Sequence, residues 1–365
     1  MPNAGQGQSS GEGRGVLARG TRNAGQLIVV GAVSIAVLAI LLEIAGFPAG
    51  PSLNSLWRGA FGSADAILSS TLVRATPILL IGSGMVIALR SGVINLGGDG
   101  QLLAGAVAAT SVCLWLPSSG GTLVIVVALA AAALGGMTWT LVPAWLKARF
   151  GTMEVVSTIM MNFLAVHVVS FLVRGPLQEP THLYPQSASI PVAMQLPFVI
   201  DNARLHSGFW LGILAALVAW LLLDHSSAGF RLRAVGSNAR AAELAGRINV
   251  RRVQLGAFLA SGALAGLAGG VEVLGVTYAL YENLSPGYGY SAIAVALLAR
   301  LRPLHAVWSA ILLGGLAAGA TAMQRDAGVP AGAATTVEAV LILSLLGGQA
   351  LRRRWPGSAR EAAAG

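Results

Sequence analysis

Residues 90–103 read RSGVINLGGDGQLL, so that Asn95, Asp99 and Gln101 place two amides and a carboxyl on one glycine-rich strip. The strip separates two apolar stretches, about 72–89 and 100–116, each long enough to cross a bilayer. Backbone groups cannot stay unpaired in hydrocarbon, so a non-helical segment there is buried in protein or lines a wet cavity. Polar side chains at such a place suit the passage or gating of a solute. Whether 90–101 is re-entrant or a tight loop stays open at this level. Other polar groups inside apolar stretches belong to the same set, because their cost in lipid favours a functional reading. These are Glu154 and Asn162 in 154–173, Glu272 near the end of 253–274, and Glu338 in 334–349. For Glu154 and Glu338 an interhelical hydrogen bond or a helix-end charge explains the residue equally well. Glu43 lies close enough to the end of the first stretch to reach water by snorkelling.

Bond-making chemistry has no visible seat. A phosphate-binding loop needs a lysine after its last glycine, and Lys147, the one lysine, sits in AWLKARF. GGDGQ follows an apolar stretch and lacks the strand-to-helix setting of a nucleotide-binding glycine loop. The histidines (167, 182, 206, 225 and 305) have no metal-ligand spacing, and the single Cys113 excludes an intrachain disulfide and a thiolate cluster. No nucleophile–base pair is apparent. The chain reads as a non-enzyme with no bound cofactor or metal.

The elements that must hold these residues are membrane helices. Of 365 residues 55% are hydrophobic and 10% charged, where soluble domains carry about 25% charged residues. Apolar stretches near 27–46, 72–89, 100–116, 122–142, 154–173, 208–223, 253–274, 290–299, 304–323 and 334–349 predict an all-α bundle of about ten transmembrane helices. The first is too long for a signal-peptide core and is followed by no small-residue cleavage site. Residues 1–26 read as a disordered tail and 351–365 as a basic tail, with the membrane domain at 27–350. With the N-terminus inside, eighteen of the 23 basic residues fall on inner segments and five on outer ones. That bias places both termini in the cytoplasm. The net charge of +9 does not point to nucleic acid, because the arginines mark span ends and form no stripe.

Two connections are long. The outer one, 174–207, carries Pro176, Pro180, Pro185, Pro191 and Pro197, which predicts an extended cap without long helices. In the inner one, 224–252, Ser237 or Asn238 can cap a short helix ending at Gly246. Two helical turns are marginal alone in water, so this helix is either an interfacial amphipathic segment or needs a partner surface. Glycines at 262, 266 and 270, and at 315 and 319, recur every fourth position and read as close helix packing.

Taken together, SGVINLGGDGQLLAGA (91–106), GTMEVVSTIMMNFLA (151–165), LRAVGSNARAAELAG (232–246), SGALAGLAGGVEVLG (261–275) and GYGYSAIAVALLARLRPL (287–304) resemble one family. It is the permease subunits of bacterial ABC importers of the branched-chain amino acid, ribose and simple-sugar class, nearest the nucleoside and simple-sugar branch. Gly98 and Asp99 stand where that branch usually has Ala and Glu, Met153 where it has Asn, and Arg247 at an ordinarily apolar position. The resemblance implies a permease in the bacterial cytoplasmic membrane that moves nucleosides or simple sugars by alternating access. It implies an ATP-binding cassette subunit that hydrolyses ATP, a second and related permease, and an extracytoplasmic substrate-binding lipoprotein, all working in membrane lipid. The site residues follow: Asn95, Asp99, Gln101, Glu154, Asn162 and Glu272 at the pathway or gate, and Gly236, Asn238, Arg240, Ala241, Ala242 and Gly246 in the segment that couples to the ATPase. Branched-chain amino acids or monosaccharides are alternative substrates. A self-sufficient secondary transporter is the alternative class. It would call for membrane-central charges and inverted repeats, whereas here the charges lie mostly near span ends and no repeat is visible.

Overall fold

The computed structural model describes residues 32–33, 35–117 and 121–354. The expected tail at 1–26, the start of the first span and residues 355–365 lie outside them. The helices are α1 (Ile35–Ile44), α2 (Ala49–Phe61), α3 (Leu72–Arg90, after a π-helical turn at Ala66–Thr71), α4 (Gly98–Trp115), α5 (Gly121–Phe150), α6 (Glu154–Val173), α7 (Gly208–His225), α8 (Ser227–Ser237), α9 (Ala239–Gly246), α10 (Val250–Glu272, running into a π-helical turn at Val273–Thr277), α11 (Tyr288–Leu298), α12 (Pro303–Ala327) and α13 (Ala331–Arg354). Extended pairing among the described residues is confined to three isolated bridges.

Six helices have the length and apolar composition of a membrane crossing: α3 with its π turn, α5, α6, α7, α10 with its π turn, and α12. α4 and α13 lie where two more spans were expected, and α1 and α11 are apolar but shorter.

The chain divides into two compact units, one made of the residues up to Leu56 and from Ala320 on, the other of Trp57–Gly319. In the first, the Glu43 carboxylate does not simply reach for water: it accepts the amide of Ala49 at 2.8 Å and so caps the start of α2. The side chain of Glu338 lies outside the described residues.

In the second unit α3 is the central post, with every residue from Ala75 to Ala88 buried. α10, α11 and α7 pack on it, and α4, α5 and α10 close against one another through small residues. A Cβ on Gly266 would fall on the carbonyl oxygen of Ala132, and one on Gly269 on that of Leu102. Without a hydrophobic driving force between helices in lipid, such backbone approach supplies the dispersion contacts that hold a bundle together. The glycine spacing thus has its packing role, with Gly269 added to the expected Gly262, Gly266 and Gly270. α5, α6 and α7 instead expose large apolar side chains such as Leu134, Phe163, Phe171 and Trp210. Exposed apolar faces of this kind suit contact with lipid or with another membrane subunit.

The segment 174–207 is extended as expected, with one short 3-10 turn at Val192–Met194. It lies along residues 274–282: the amides of Ser187, Ile190 and Leu196 donate to the carbonyls of Leu280, Tyr278 and Leu274 at 3.0, 2.8 and 2.9 Å. Arg174 closes the edge with an ion pair to Glu282. Between α7 and α9 the structure adds a helix that the sequence reading lacked, α8, capped by Ser226 Oγ accepting from Gly229 at 3.0 Å.

Candidate translocation site

The glycine-rich strip enters the bundle. At its start Gly92, with φ of +78°, sits beside Gly236, and Ser91 O accepts from Gln254 Nε2 at 3.4 Å near the beginning of α10. Three residues on, Asn95 Nδ2 donates at 3.0 Å to Ser261 Oγ, half-way along α10. Gly98 then packs on Ile81, half-way along α3. The strip therefore climbs from the helix ends to the helix midpoints before α4 begins, and the open question of its course resolves to a re-entrant segment within the protein.

Its backbone is held by amides. Asn95 Oδ1 accepts from Gly97 N at 2.9 Å and from Gln101 Nε2 at 3.0 Å, while Asn95 Nδ2 also donates to Gln101 Oε1 at 2.9 Å. From α6, Asn162 Oδ1 accepts the Gly100 amide and its Nδ2 donates to Leu96 O, both at 2.8 Å. Asn95 and Asn162 thus take up the amides of Gly97 and Gly100 and the carbonyl of Leu96, and Gln101 fixes Asn95 in place, a use of side chains that buried unwound backbone calls for. Nothing in the sequence could announce the Asn162 clamp, since its partners lie 62 and 66 positions away.

A second interrupted segment meets the first. After the π turn the backbone turns left-handed at Tyr278 (φ 56°) and again at Gly287 (φ 97°), and α11 starts at Tyr288. Gly289 comes so close to Asp99 that a Cβ there could not be housed. Asp99 Oδ1 accepts from Ser285 Oγ at 2.5 Å and from the Gly289 amide at 3.0 Å. Ser285 Oγ in turn accepts the amides of Gly287 and Tyr288 at 3.3 and 3.2 Å. The N-termini of α4 and α11 so converge on one carboxyl, a placement that the partial positive charge of helix N-termini favours. Asp99 Oδ2 is buried without a hydrogen-bond partner. Glu272, 4% exposed, takes the hydroxyl of Tyr288, with Arg74 supplying a compensating charge. Both acidic residues therefore attach to the beginning of α11. Ser285 and Gly289 were missed because the run ENLSPGYG looks from sequence like turn chemistry.

Glu154 stands apart from this junction. It pairs with Lys147 at 3.0 Å across the turn between α5 and α6, the helix-end reading given above. Among the described residues no group of three or more His, Cys, Asp or Glu is arranged to hold a metal ion.

The segment 236–246 holds the end of α8 and all of α9. Asn238, and not Ser237, is the cap: its Oδ1 accepts from Ala241 N at 3.0 Å. α9 is largely exposed, Arg240, Ala241 and Leu244 included, and among its described side chains only Ala242 is buried. Gly246 is the last helical residue, and the left-handed position that ends the helix falls on Arg247, at φ 48°. Behind α9, a Cβ on Gly236 would fall on the carbonyl oxygen of Arg90. That glycine is what lets α8 touch the end of α3 and the start of the strip.

Comparison with known proteins gives this geometry a setting. The family described as branched-chain amino acid transport system / permease component matches residues 67–346. The chain belongs to that family. A guanosine ABC transporter permease protein of Bacillus subtilis, NupP, is 36% identical over 327 residues, 88% of this chain and 92% of its own length. A glucose ABC transporter permease protein of Haloferax volcanii is 32% identical over 296 residues, covering 78% and 77% of the two chains. A nucleoside ABC transporter permease protein of Lactococcus lactis, NupB, is 29% identical over 314 residues, covering 83% and 85%. The permease is thus a multi-pass membrane subunit of an ABC transporter, a transport component and not an enzyme.

Proposed function

We propose that this permease forms the translocation path for nucleosides or simple sugars in a bacterial cytoplasmic membrane, importing by alternating access. The observation that carries the reading is a continuous line of contacts. It runs from α9 through α8 and Gly236 to the strip, from the strip to Asp99, from Asp99 to Ser285 and Gly289, and from there along residues 274–282 to the cap at 174–207. One domain over 27–350, with ten spans and both termini inside, puts α9 in the cytoplasm and the cap outside, as the arginine distribution supports.

In this reading an ATP-binding cassette subunit docks on α9 around Asn238, Arg240, Ala241 and Ala242. A substrate-binding lipoprotein docks on the cap. The ATP is used by the partner. B. subtilis holds two permeases similar to this chain, NupP and, at 29% identity over 257 residues, NupQ, which supports a pair of related and different permeases here. Asn95, Gln101 and Asn162 position the strip. Asp99 and Glu272 are the gate, holding two half-helices shut at the bundle centre. Opening that junction exposes Asp99 Oδ2, a hydrogen-bond acceptor of the kind that ribose and sugar hydroxyls take. Glu154 serves as a hinge pair with Lys147.

Uptake competition among nucleosides, ribose-like sugars and leucine tests the substrate. Competition by leucine alone would replace the proposed class with branched-chain amino acids. For coupling, Arg240→Glu combined with Ala241→Trp abolishes substrate-stimulated ATP hydrolysis while the lipoprotein still binds; unaltered stimulation would refute the docking of the ATPase on α9.

A further inference from the structure

The ends of α5 and α10 flank an open cavity of about 1130 Å³ to which the transport reading gives no task. Most of its lining is apolar and includes Leu141, Trp145, Leu255 and Phe258, with Val93 of the strip. Leu141, Trp145 and Leu255 are well exposed there, so the cavity opens on the flank of the bundle. Its cationic members, Lys147, Arg251 and Arg252, come from the last turns of α5 and the first turn of α10, beyond the apolar ones. Lys147 is taken up by Glu154. Arg251 and Arg252 are exposed and have no ion-pair partner among the described residues, and Arg149 stacks on Phe150 close by. Positive charge at the helix ends above an apolar recess complements an amphiphile with an anionic head and acyl chains.

We propose that this cavity binds one anionic phospholipid of the inner leaflet, its phosphate at Arg251 and Arg252 and an acyl chain against Trp145, Leu255 and Phe258. The choice of leaflet rests on the orientation proposed above; the choice of ligand rests on the cavity itself. Because Val93 is both lining and strip, the bound chain packs against the segment that carries Asp99.

The full-length chain in mild detergent, offered equimolar dioleoyl phosphatidylglycerol and dioleoyl phosphatidylcholine, tests this by native mass spectrometry. One phosphatidylglycerol is retained at least fivefold over phosphatidylcholine. Arg251→Gln with Arg252→Gln brings that ratio close to one, while Arg231→Gln with Arg302→Gln, which removes the same charge elsewhere, leaves it unchanged. Equal retention of the two lipids, or an equal fall in both double variants, overturns the proposal. So does a photo-crosslinker in place of Leu141 that captures a protein chain in the native membrane; capture of lipid supports it. Orientation is read separately, by labelling Arg231→Cys with an impermeant maleimide. Labelling from outside intact cells removes the orientation while the phosphatidylglycerol preference stands or falls by itself.

Discussion

Replacing Asp99 separates hydrogen bonding from side-chain size at the junction of the α4 and α11 N-termini. Asp99 Oδ1 is acceptor to the Gly289 amide and the Ser285 hydroxyl, and Oδ2 has no partner. Asp99→Asn keeps a carbonyl oxygen for both donors. Its cost is the weaker attraction between a neutral group and two helix N-termini, about 1 kcal/mol, because the Nδ2 amide replaces an oxygen that already lacks a partner. Asp99→Ala leaves two donors without their acceptor, and each buried orphan costs about 1–3 kcal/mol. The Ser285 hydroxyl can rotate to relieve part of this, so the total is about 2–4 kcal/mol, roughly a 30- to 700-fold shift toward the unfastened state. Reversible unfolding of the purified permease in mixed detergent micelles, with Ser285→Ala and the double variant completing a cycle, measures both numbers. Asp99→Ala should cost clearly more than Asp99→Asn, and Ser285→Ala should cost less in the Asp99→Ala background than alone. Equal costs for the two Asp99 variants, or strict additivity with Ser285→Ala, would falsify the fastening role.

Gly236→Ala drives a methyl into the carbonyl of Arg90. The strain is about 1–3 kcal/mol, and uptake should fall several-fold with the ATPase subunit still co-purifying; wild-type uptake would break the link from α8 to the strip. At the cap, the hydrogen bonds from Arg174 and Ser170 hold the Glu282 carboxyl down at about 2, below its ordinary 4.5. Its contribution is therefore complete above pH 4.5 and fades as pH falls toward 2. Hydrogen exchange across 174–207 should be flat from pH 7 to 5 after correction for intrinsic rates and then accelerate, and Glu282→Gln should remove that acceleration. Burial, with no partner for either ring nitrogen, pushes His206 from 6.5 to about 4. The folded state so refuses a proton that the unfolded state takes, and stability is complete above pH 6.5 and declines as pH drops toward 4, by up to about 3 kcal/mol. Unfolding midpoints of wild type and His206→Gln across that window check this: the variant's slope should be shallower, and parallel slopes would rule it out.

What the sequence displayed, and what it hid, divides by the range of the interactions. Local rules located the strip, because polar residues among apolar ones are costly wherever the fold goes. The prolines were enough for the cap, and the pair Ser237 and Asn238 for the start of α9, which the structure assigns to Asn238. The roles of Asn95, Gln101 and Asn162 as braces, in contrast, depend on partners such as Ser261 and Leu96, which only the packed bundle brings together. The cap at Glu43 was hidden because a carboxylate near an interface looks the same whether it seeks water or an amide. α8 went unread since Gly229 and Gly236 lower helix propensity. The structure uses them instead as sites where neighbouring carbonyls press on the helix.

α11 has a consequence for how the protein is made. Its 11 residues span roughly 16 Å as a helix, about half of the hydrocarbon thickness. A segment so short is no stop or start signal for the insertion machinery, and the Gly289 amide in its first turn bonds to Asp99, synthesised almost two hundred residues earlier. Ribosome-bound chains ending shortly after residue 299 should therefore leave α11 outside the bilayer, and it should enter only when α12 emerges to be inserted with it as a hairpin. Assembly of this junction is thus post-insertional: its two halves meet only after the rest of the bundle has been laid down.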